Sequence, residues 1–163
     1  MKAFFVSAAL ATTFLVSNAS AAPFPSIVLS DLNGDDHTLT SEWRGQGGIV
    51  ILGFAHDARE GMDHWVDALG LAETDPDWIE LPVIGDVNAM VRPMIRAGMR
   101  ARYASTPRRA HVAPVFDGAD ALRGTSASEI EVLVIAADGE IVARIAGEAT
   151  PENIAAIRVA QRR

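Results

Sequence analysis

Two histidines and two carboxylates are spaced closely enough to act together. His56, Glu60 and His64 recur every four residues, and Asp57 directly follows His56. Side chains four apart share one face of a helix, and imidazole and carboxylate groups serve both as metal ligands and as acid–base groups. Two interpretations stay open. The stretch is either a metal-binding or non-thiol catalytic site, or the solvated polar face of a helix, which is the interpretation we favour.

The apolar residues of the same stretch favour the solvated face. On a helix they lie opposite the polar set, so the polar side faces water. The apolar residues are Met62, Trp65, Val66 and Leu69. Asp57 and Glu60 have the spacing of a capping box, so we expect the helix to begin at Asp57. His56 then precedes the helix and does not extend its polar face.

A run of arginines forms the second candidate site. Between Val87 and Val115 the chain has no acidic residue, although its net charge is −7. On a helix, arginines four apart form one stripe with apolar residues behind it. Such a segregated basic face suits an acidic protein partner or an anionic lipid surface; the alternative is a solvated face balanced by carboxylates elsewhere in the fold. The run comprises Arg92, Arg96, Arg100 and Arg102, followed by Arg108 and Arg109.

The methionines beside this stripe are expected to fill the core. Met90, Met94 and Met99 are flexible apolar side chains, which fill irregular gaps in protein interiors. Three thioethers without a neighbouring His or Cys are a weak pattern for copper. We therefore expect no metal and no cofactor.

The composition excludes several classes of function. The 163 residues include no cysteine, and thiolates are the nucleophiles of disulfide exchange and of cysteine-based peroxide reduction. The acidic net charge argues against nonspecific nucleic-acid binding, which depends on neutralising phosphates. No repeat or long linker divides the sequence, and its length suits a single domain.

The first 21 residues have the pattern of a secretory signal peptide. Lys2 precedes a short apolar stretch, and the segment ends in Ala19-Ser20-Ala21, which fits a cleavage site. The apolar part is too short and too interrupted to persist as a membrane-spanning helix. We expect cleavage after Ala21, a mature domain of residues 22–163 without a transmembrane segment, and a periplasmic or otherwise extracytoplasmic location.

The central part of the chain predicts a β-α-β-α unit. The continuous apolar run 49–54 is typical of a strand buried on both faces, and a second short strand is predicted at 81–84. Because the helix near 58–69 crosses between them, the two strands should be parallel. A further helix is predicted around Met90–Ile95, with Pro93 either kinking it or marking its start.

The two ends of the domain predict hairpins. Asn33-Gly34 marks the first, and the turn Asp138-Gly139 joins predicted strands 130–135 and 141–145. A third short strand is predicted at 112–116, and Thr150-Pro151 caps and opens a last helix near 151–160. The order of elements indicates an α/β domain with a mixed sheet and helices on both faces.

This order resembles the thioredoxin-like superfamily, in particular its peroxiredoxin and alkyl-hydroperoxide-reductase branch. The matching features are Pro23–Leu32, Gly34, Thr38-Leu39, Ile49–Phe54, Val132–Ile135, Asp138-Gly139, Gly147 and Thr150–Glu152. A closer likeness is to the cysteine-free mitochondrial ATP-synthase assembly factors, through Phe54, Glu60, Asp63, Trp65 and Met94–Arg100. Small periplasmic thioredoxin-like proteins are similar too. The resemblance implies a thioredoxin-like three-layer sandwich.

The resemblance also implies a function without thiol chemistry. Ala55–Glu60 stands where a redox thioredoxin carries its cysteine pair, and Ser126–Glu129 lacks the expected cis-proline. A binding or assembly factor for a protein or membrane partner is therefore expected. The predicted partner-binding residues are Arg92, Arg96, Arg100, Arg102, His56, Asp57 and Arg59. The alternative is a metal-binding protein or non-thiol enzyme that uses His56, Asp57, Glu60 and His64.

We expect purified protein to reduce insulin disulfides and to consume hydrogen peroxide no faster than buffer alone, because both reactions need a thiolate. A cysteine-containing thioredoxin measured in parallel is the positive control. Turnover by cofactor-free protein would show that another residue type does this chemistry, and the non-redox interpretation would then be wrong.

Overall fold

The computed structural model describes residues 22–103, 106–125 and 127–162. The predicted signal peptide, residues 1–21, lies outside them. A five-stranded sheet has the order β1-β7-β6-β4-β5, and β2 and β3 form a separate hairpin. The strands are β1 Ala22–Pro23, β2 Leu29–Ser30, β3 Asp36–His37, β4 Gly48–Gly53, β5 Trp78–Pro82, β6 Ile130–Ile135 and β7 Glu140–Ala146. The helices are α1 Leu39–Glu42, α2 Arg59–Leu69, α3 Arg92–Arg102, α4 Thr106–Ala110, α5 Ala119–Leu122 and α6 Pro151–Ala160.

The predicted mixed sheet is confirmed. β4 runs parallel to β5 and antiparallel to β6, with Ile51 opposite Glu80 on one side and Val132 on the other. β5 begins at Trp78, three residues before the predicted 81–84. The first half of β5 lacks a continuous apolar pattern in the sequence, because Glu80 interrupts it. In the fold Glu80 is nevertheless fully buried.

The predicted helices on both faces are confirmed as well. One face of the sheet packs against α2 and α6, through Ile51, Trp65, Val132 and Ile157 among others. The other face packs against the N-terminal segment, α1 and α5, and contains Val50, Leu52 and Leu133. Alternate residues of β4 therefore enter opposite cores, which explains its continuous apolar run. No helix in the described part of the chain is long and apolar enough to cross a bilayer.

The predicted strand at 112–116 is reduced to two bridges. Glu80 pairs with Val112 and Val83 with Val115, both in parallel. Pro114 lies between these bridges, and a proline has no N–H to donate to a ladder. The segment thus covers the outer edge of β5 without becoming a regular strand.

The two predicted helix caps had different outcomes. Thr150 caps α6 as expected, because its side chain accepts a hydrogen bond from the Asn153 N–H at 3.2 Å. The predicted cap at Asp57 is wrong. Ala58 occupies the cap position of α2 with no side-chain hydrogen bond, and its N–H donates to the carbonyl of Ala55 at 3.2 Å. A backbone turn therefore leads into α2 and leaves Asp57 exposed.

Helix α3 is docked onto the β2–β3 hairpin by arginines. Arg96 donates to the carbonyls of Ser30 at 2.9 Å and Asp31 at 3.3 Å, and Arg100 Nε donates to the carbonyl of Leu32. Ser30 ends strand β2, and Asp31 and Leu32 follow it in the turn. The Asp31 carbonyl also accepts from the N–H of Gly34 at 3.2 Å, so the arginines add to the backbone bonding of the turn. Two turns of α3 are in this way bonded to the N-terminal part of the chain.

Arg92 forms the third contact of the stripe. Its guanidinium makes a bidentate ion pair with Asp117, with N–O distances of 2.5 and 2.7 Å, and its Nε donates to the carbonyl of Val87 at 3.2 Å. The expectation that this stripe points away from the fold is therefore wrong for Arg92 and Arg96, which are half-buried, whereas Arg100 stays exposed while its Nε bonds to Leu32. Helical spacing establishes which residues share a face, and the bonds to the hairpin and to Asp117 decide how that face is placed.

Two of the three methionines in this region are exposed. Met94 is 70% exposed, and Met90, which precedes the helix, is 87% exposed. The expectation that both fill the core is wrong, whereas Met99 packs beside the small cluster of Leu32, Tyr103 and Val112. An apolar surface thus stands beside α3.

Replacing both Arg96 and Arg100 by Gln should lower the free energy of unfolding by about 2 kcal/mol. Each substitution removes a charge-assisted hydrogen bond to a hairpin carbonyl, that of Ser30 or of Leu32. Arg102→Gln is the matched control on the same helix and should change it by less than about 0.5 kcal/mol. Urea unfolding followed by tryptophan fluorescence measures both. A double variant as stable as the parent protein would show that water hydrogen-bonds to the hairpin carbonyls as well as the two arginines do.

Candidate functional site

The candidate site surrounds the loop that joins β4 to α2, residues 54–58. The N–H of Phe54 donates to the carbonyl of Glu129 at 2.7 Å, and the N–H of Val83 donates to that of Gly53 at 2.7 Å. The loop is therefore held by the chain on both sides, where β4 and β5 end. It separates two open grooves, which differ in charge.

The first groove, here called the acidic groove, lies on the side of α2 that faces β6. Its volume is about 940 Å³. Carboxylates dominate its charged lining, and His64 is the only imidazole among the described residues that line it. The charged and ionisable residues are Asp57, Glu60, His64, Asp67, Glu129 and Glu148.

The second groove, here called the apolar groove, lies between loop 54–58 and α3 and has a volume of about 420 Å³. Aromatic rings and thioethers provide much of its wall. The side chains are Phe54, Met62, Pro82, Val83, Ile84, Met94, Ile95, Met99 and Tyr103, together with three basic residues, His56, Arg59 and Arg102. No carboxylate is among the described residues that line it.

The structure separates the histidines that the sequence analysis grouped. His56 lines the apolar groove, whereas Glu60 and His64 line the acidic groove. Among residues 22–103, 106–125 and 127–162, no three His, Cys, Asp or Glu side chains are placed to hold one metal ion. The polar face of α2 is exposed at Glu60, His64 and Asp67, as expected for a solvated surface.

The predicted partner-binding residues are divided in the same way. His56, Arg59 and Arg102 meet at the apolar groove, and Asp57 lies across the loop in the acidic groove. Arg92, Arg96 and Arg100 belong to neither groove, because their guanidinium groups bond to the hairpin and to Asp117.

An ion-pair network supports the apolar groove from inside the fold. Arg59 contacts Asp63 at 3.4 Å, and Arg108 contacts both Asp63 at 2.9 Å and the buried Glu80 at 2.8 Å. The Arg59 guanidinium also lies 4.8 Å from the centre of the Tyr103 ring, a cation–π distance. The groove wall is thus bonded to α2, β5 and α4.

Two buried groups of this network, Glu80 and Tyr103, have raised pKa values. Burial raises the pKa of Glu80 to about 8, although the adjacent Arg108 acts in the opposite direction. Burial also raises the pKa of the Tyr103 hydroxyl. Sequence analysis missed both residues; a single Glu within the apolar stretch 78–83 was the available signal for Glu80.

A second buried carboxylate supports the other side of the loop. Glu131 of β6 is fully buried and pairs with Arg144 of β7, and the same Arg144 Nη1 donates to the carbonyl of Leu122 at 3.0 Å. Arg123, the next residue, places its guanidinium 4.0 Å from the centre of the Phe54 ring. The chain before β6 is thereby fastened beside the apolar groove.

Comparison with known proteins identifies the fold. No protein-family model and no curated protein sequence matches the chain. Among solved structures, the exposed lipoprotein thioredoxin of Streptococcus pneumoniae is 14% identical with a TM-score of 0.57, and the match covers 84% of this chain and 98% of that one. A thiol:disulfide interchange protein of Chlorobium tepidum is also 14% identical, with a TM-score of 0.55 over 89% and 99% of the two chains.

A third structure, the thio-disulfide isomerase of Thermus thermophilus, is 18% identical, with a TM-score of 0.51 and coverage of 86% and 95%. These similarities show that the chain has the thioredoxin-like fold expected from its sequence. None of the three is named as a peroxiredoxin, so the likeness to that branch stays a prediction. This chain departs from thiol chemistry by having no cysteine at all.

The protonation of Glu80 should be visible in the pH dependence of stability. Unfolded Glu80 ionises near pH 4.5, whereas in the fold its pKa is about 8. The folded state thus holds a proton that the unfolded state loses, so its contribution to stability is present below pH 4.5 and is lost as pH rises towards 8. Relative to Glu80→Gln, wild-type stability should fall by up to about 1.4 kcal/mol per pH unit in this range.

Urea unfolding at a series of pH values measures this difference. Glu152→Gln, an exposed position of α6, is the control and should follow the wild-type curve. A stability difference between wild type and Glu80→Gln that stays constant with pH would show that Glu80 is ionised in the fold and held by Arg108.

Proposed function

We propose that this protein is an extracytoplasmic thioredoxin-fold binding protein that engages a protein partner without thiol redox chemistry, in the manner of an assembly factor. The observation that carries the proposal is the apolar groove beside loop 54–58. It opens next to Met94, which is 70% exposed, and Ile84, which is 39% exposed. Exposed apolar surface of this kind commonly marks an interaction site.

The rigid support of the groove is consistent with binding. Its walls come from loop 54–58, from the end of β5 and from α3. Backbone hydrogen bonds fasten the loop, Arg108 contacts Glu80 of β5, and Arg96 bonds α3 to the β2–β3 hairpin. A preformed site loses less conformational entropy when a partner binds than a flexible one does. The groove therefore suits a recognition surface that keeps its shape.

Two observations support a location outside the cytoplasm. The first 21 residues have the pattern of a signal peptide, and one structural neighbour is named an exposed lipoprotein. We extend that location to this chain as part of the proposal, together with the protein partner.

A photo-crosslinking amino acid at position 94, in the full chain expressed in its own cells, tests the proposal. Position 159 is the control, because Val159 is 53% exposed on α6 and lies outside both grooves. We expect discrete envelope-protein adducts at position 94 that excess wild-type protein competes away, and none of them at position 159. The same adducts at both positions, or none at position 94, would contradict a partner at this site.

A further inference from the structure

The apolar groove is basic within an acidic protein. The chain carries a net charge of −7, yet this groove is lined by two arginines, Arg59 and Arg102, and by His56, without a carboxylate among the described lining residues. We propose that the groove binds an acidic segment of a polypeptide, with an apolar side chain of that segment as its anchor. This inference rests on the proposed function and specifies the chemistry of the partner.

The apolar wall suits an anchor of variable shape. Met94 is exposed on this groove and Met99 is half-buried, and the buried Met62 also lines it. Phe54 and Tyr103 add apolar wall, although Arg123 and Arg59 lie over their rings. Methionine side chains are flexible and polarisable, so Met-rich surfaces adapt to different apolar partners. A leucine, methionine or phenylalanine of the partner would fit the chemistry of this wall.

The basic rim suits acidic neighbours of that anchor. Arg102 is exposed and forms no ion pair or hydrogen bond with the described part of the chain, whereas Arg59 shares its charge with Asp63 at 3.4 Å. Because Arg102 stands beside apolar surface, a carboxylate of the partner can pair with it while the anchor is buried. Such complementary charge selects partners and accelerates their association.

Gly98 leaves space in the middle of the wall that α3 contributes. A Cβ atom added to Gly98 would have nothing within 4 Å, and the residue lines the groove. A glycine inside a helix weakens the helix relative to alanine, but it has no side chain to keep another chain away. A chain approaching the groove can come close to the backbone of α3 at this point.

A polypeptide fits these observations better than an anionic membrane. Adsorption to anionic lipid usually needs a cluster of four to eight basic side chains. The arginine stripe of α3 does not supply such a cluster, because Arg92, Arg96 and Arg100 are bonded to Asp117, Ser30 and Leu32. The remaining charge is sufficient for a short acidic segment.

Fluorescence anisotropy with three labelled peptides tests the inference on the purified mature protein. Each peptide has Gly-Ser flanks around a core, which is Glu-Glu-Leu-Glu-Glu, Glu-Glu-Ser-Glu-Glu or Lys-Lys-Leu-Lys-Lys. We expect the first to bind at least about tenfold more tightly than either of the others, since it alone combines anchor and charge. Its affinity should fall as salt rises from about 50 to about 300 mM.

Two pairs of variants locate the binding site. Gly98→Leu places a side chain on the groove wall at a position where a Cβ meets nothing within 4 Å, and Ala97→Leu adds leucine at the neighbouring exposed position outside the groove. Arg102→Gln removes the rim charge, and Arg44→Gln removes an exposed charge elsewhere. Gly98→Leu and Arg102→Gln should weaken binding of the acidic leucine peptide by about fivefold or more. The controls should stay within about twofold, and thermal melts should show all four variants folded.

Three results would overturn the inference. They are equal binding of the serine peptide, tighter binding of the lysine peptide, and full affinity in the folded Gly98→Leu variant. Displacement of the peptide by oleate, or binding to phosphatidylglycerol vesicles with no peptide binding, would assign the groove to lipid instead. If the adducts at position 94 form while these peptides do not bind, the proposed function stands and only this partner chemistry is wrong. Absence of those adducts counts against the proposed function itself.

Discussion

Hydrogen bonds between the arginines of α3 and the backbone carbonyls of the β2–β3 hairpin constrain the rest of the site. Arg96 and Arg100 reach them from α3, and together these bonds define the rotation of that helix about its axis. With the arginine stripe turned inward, Met94 is left exposed beside loop 54–58. Because a hydrogen bond from a charged donor to a carbonyl stabilises the fold, the exposure of Met94 is linked to hydrogen bonding at a hairpin elsewhere in the chain.

Two buried glutamates reinforce this arrangement from either side of β4. Glu80 on β5 and Glu131 on β6 are both fully buried, and each keeps one carboxylate oxygen without a hydrogen-bond partner among the described residues. Each contacts an arginine from outside its own strand, Arg108 or Arg144. A buried carboxyl–arginine contact contributes little net stability when the cost of burial is included. Their effect is positional, because they join the helical layer and the chain before β6 to the sheet around the loop.

The thioredoxin-like fold places loop 54–58 where two strands end and a helix begins, and this geometry is independent of the side chains on the loop. In this chain the loop carries no thiol, and its two sides differ in charge, with carboxylates towards β6 and arginines towards α3. The function of a domain depends on the residues at such a site rather than on the fold itself. Opposite charge on two adjacent grooves allows a partner to be oriented as well as bound.

The sequence by itself determined the sheet, the main helices and the lack of thiol chemistry, because continuous apolar runs, helical periodicity and residue composition are local properties. It did not determine the rotation of α3, the burial of Glu80 or the separation of His56 from His64. Each of these depends on long-range contacts, with the hairpin at residues 30–32, with Arg108 and with the loop. The apolar groove depends on those contacts, because they bond the arginines of α3 to the hairpin and leave Met94 exposed, and the tertiary structure alone decides that.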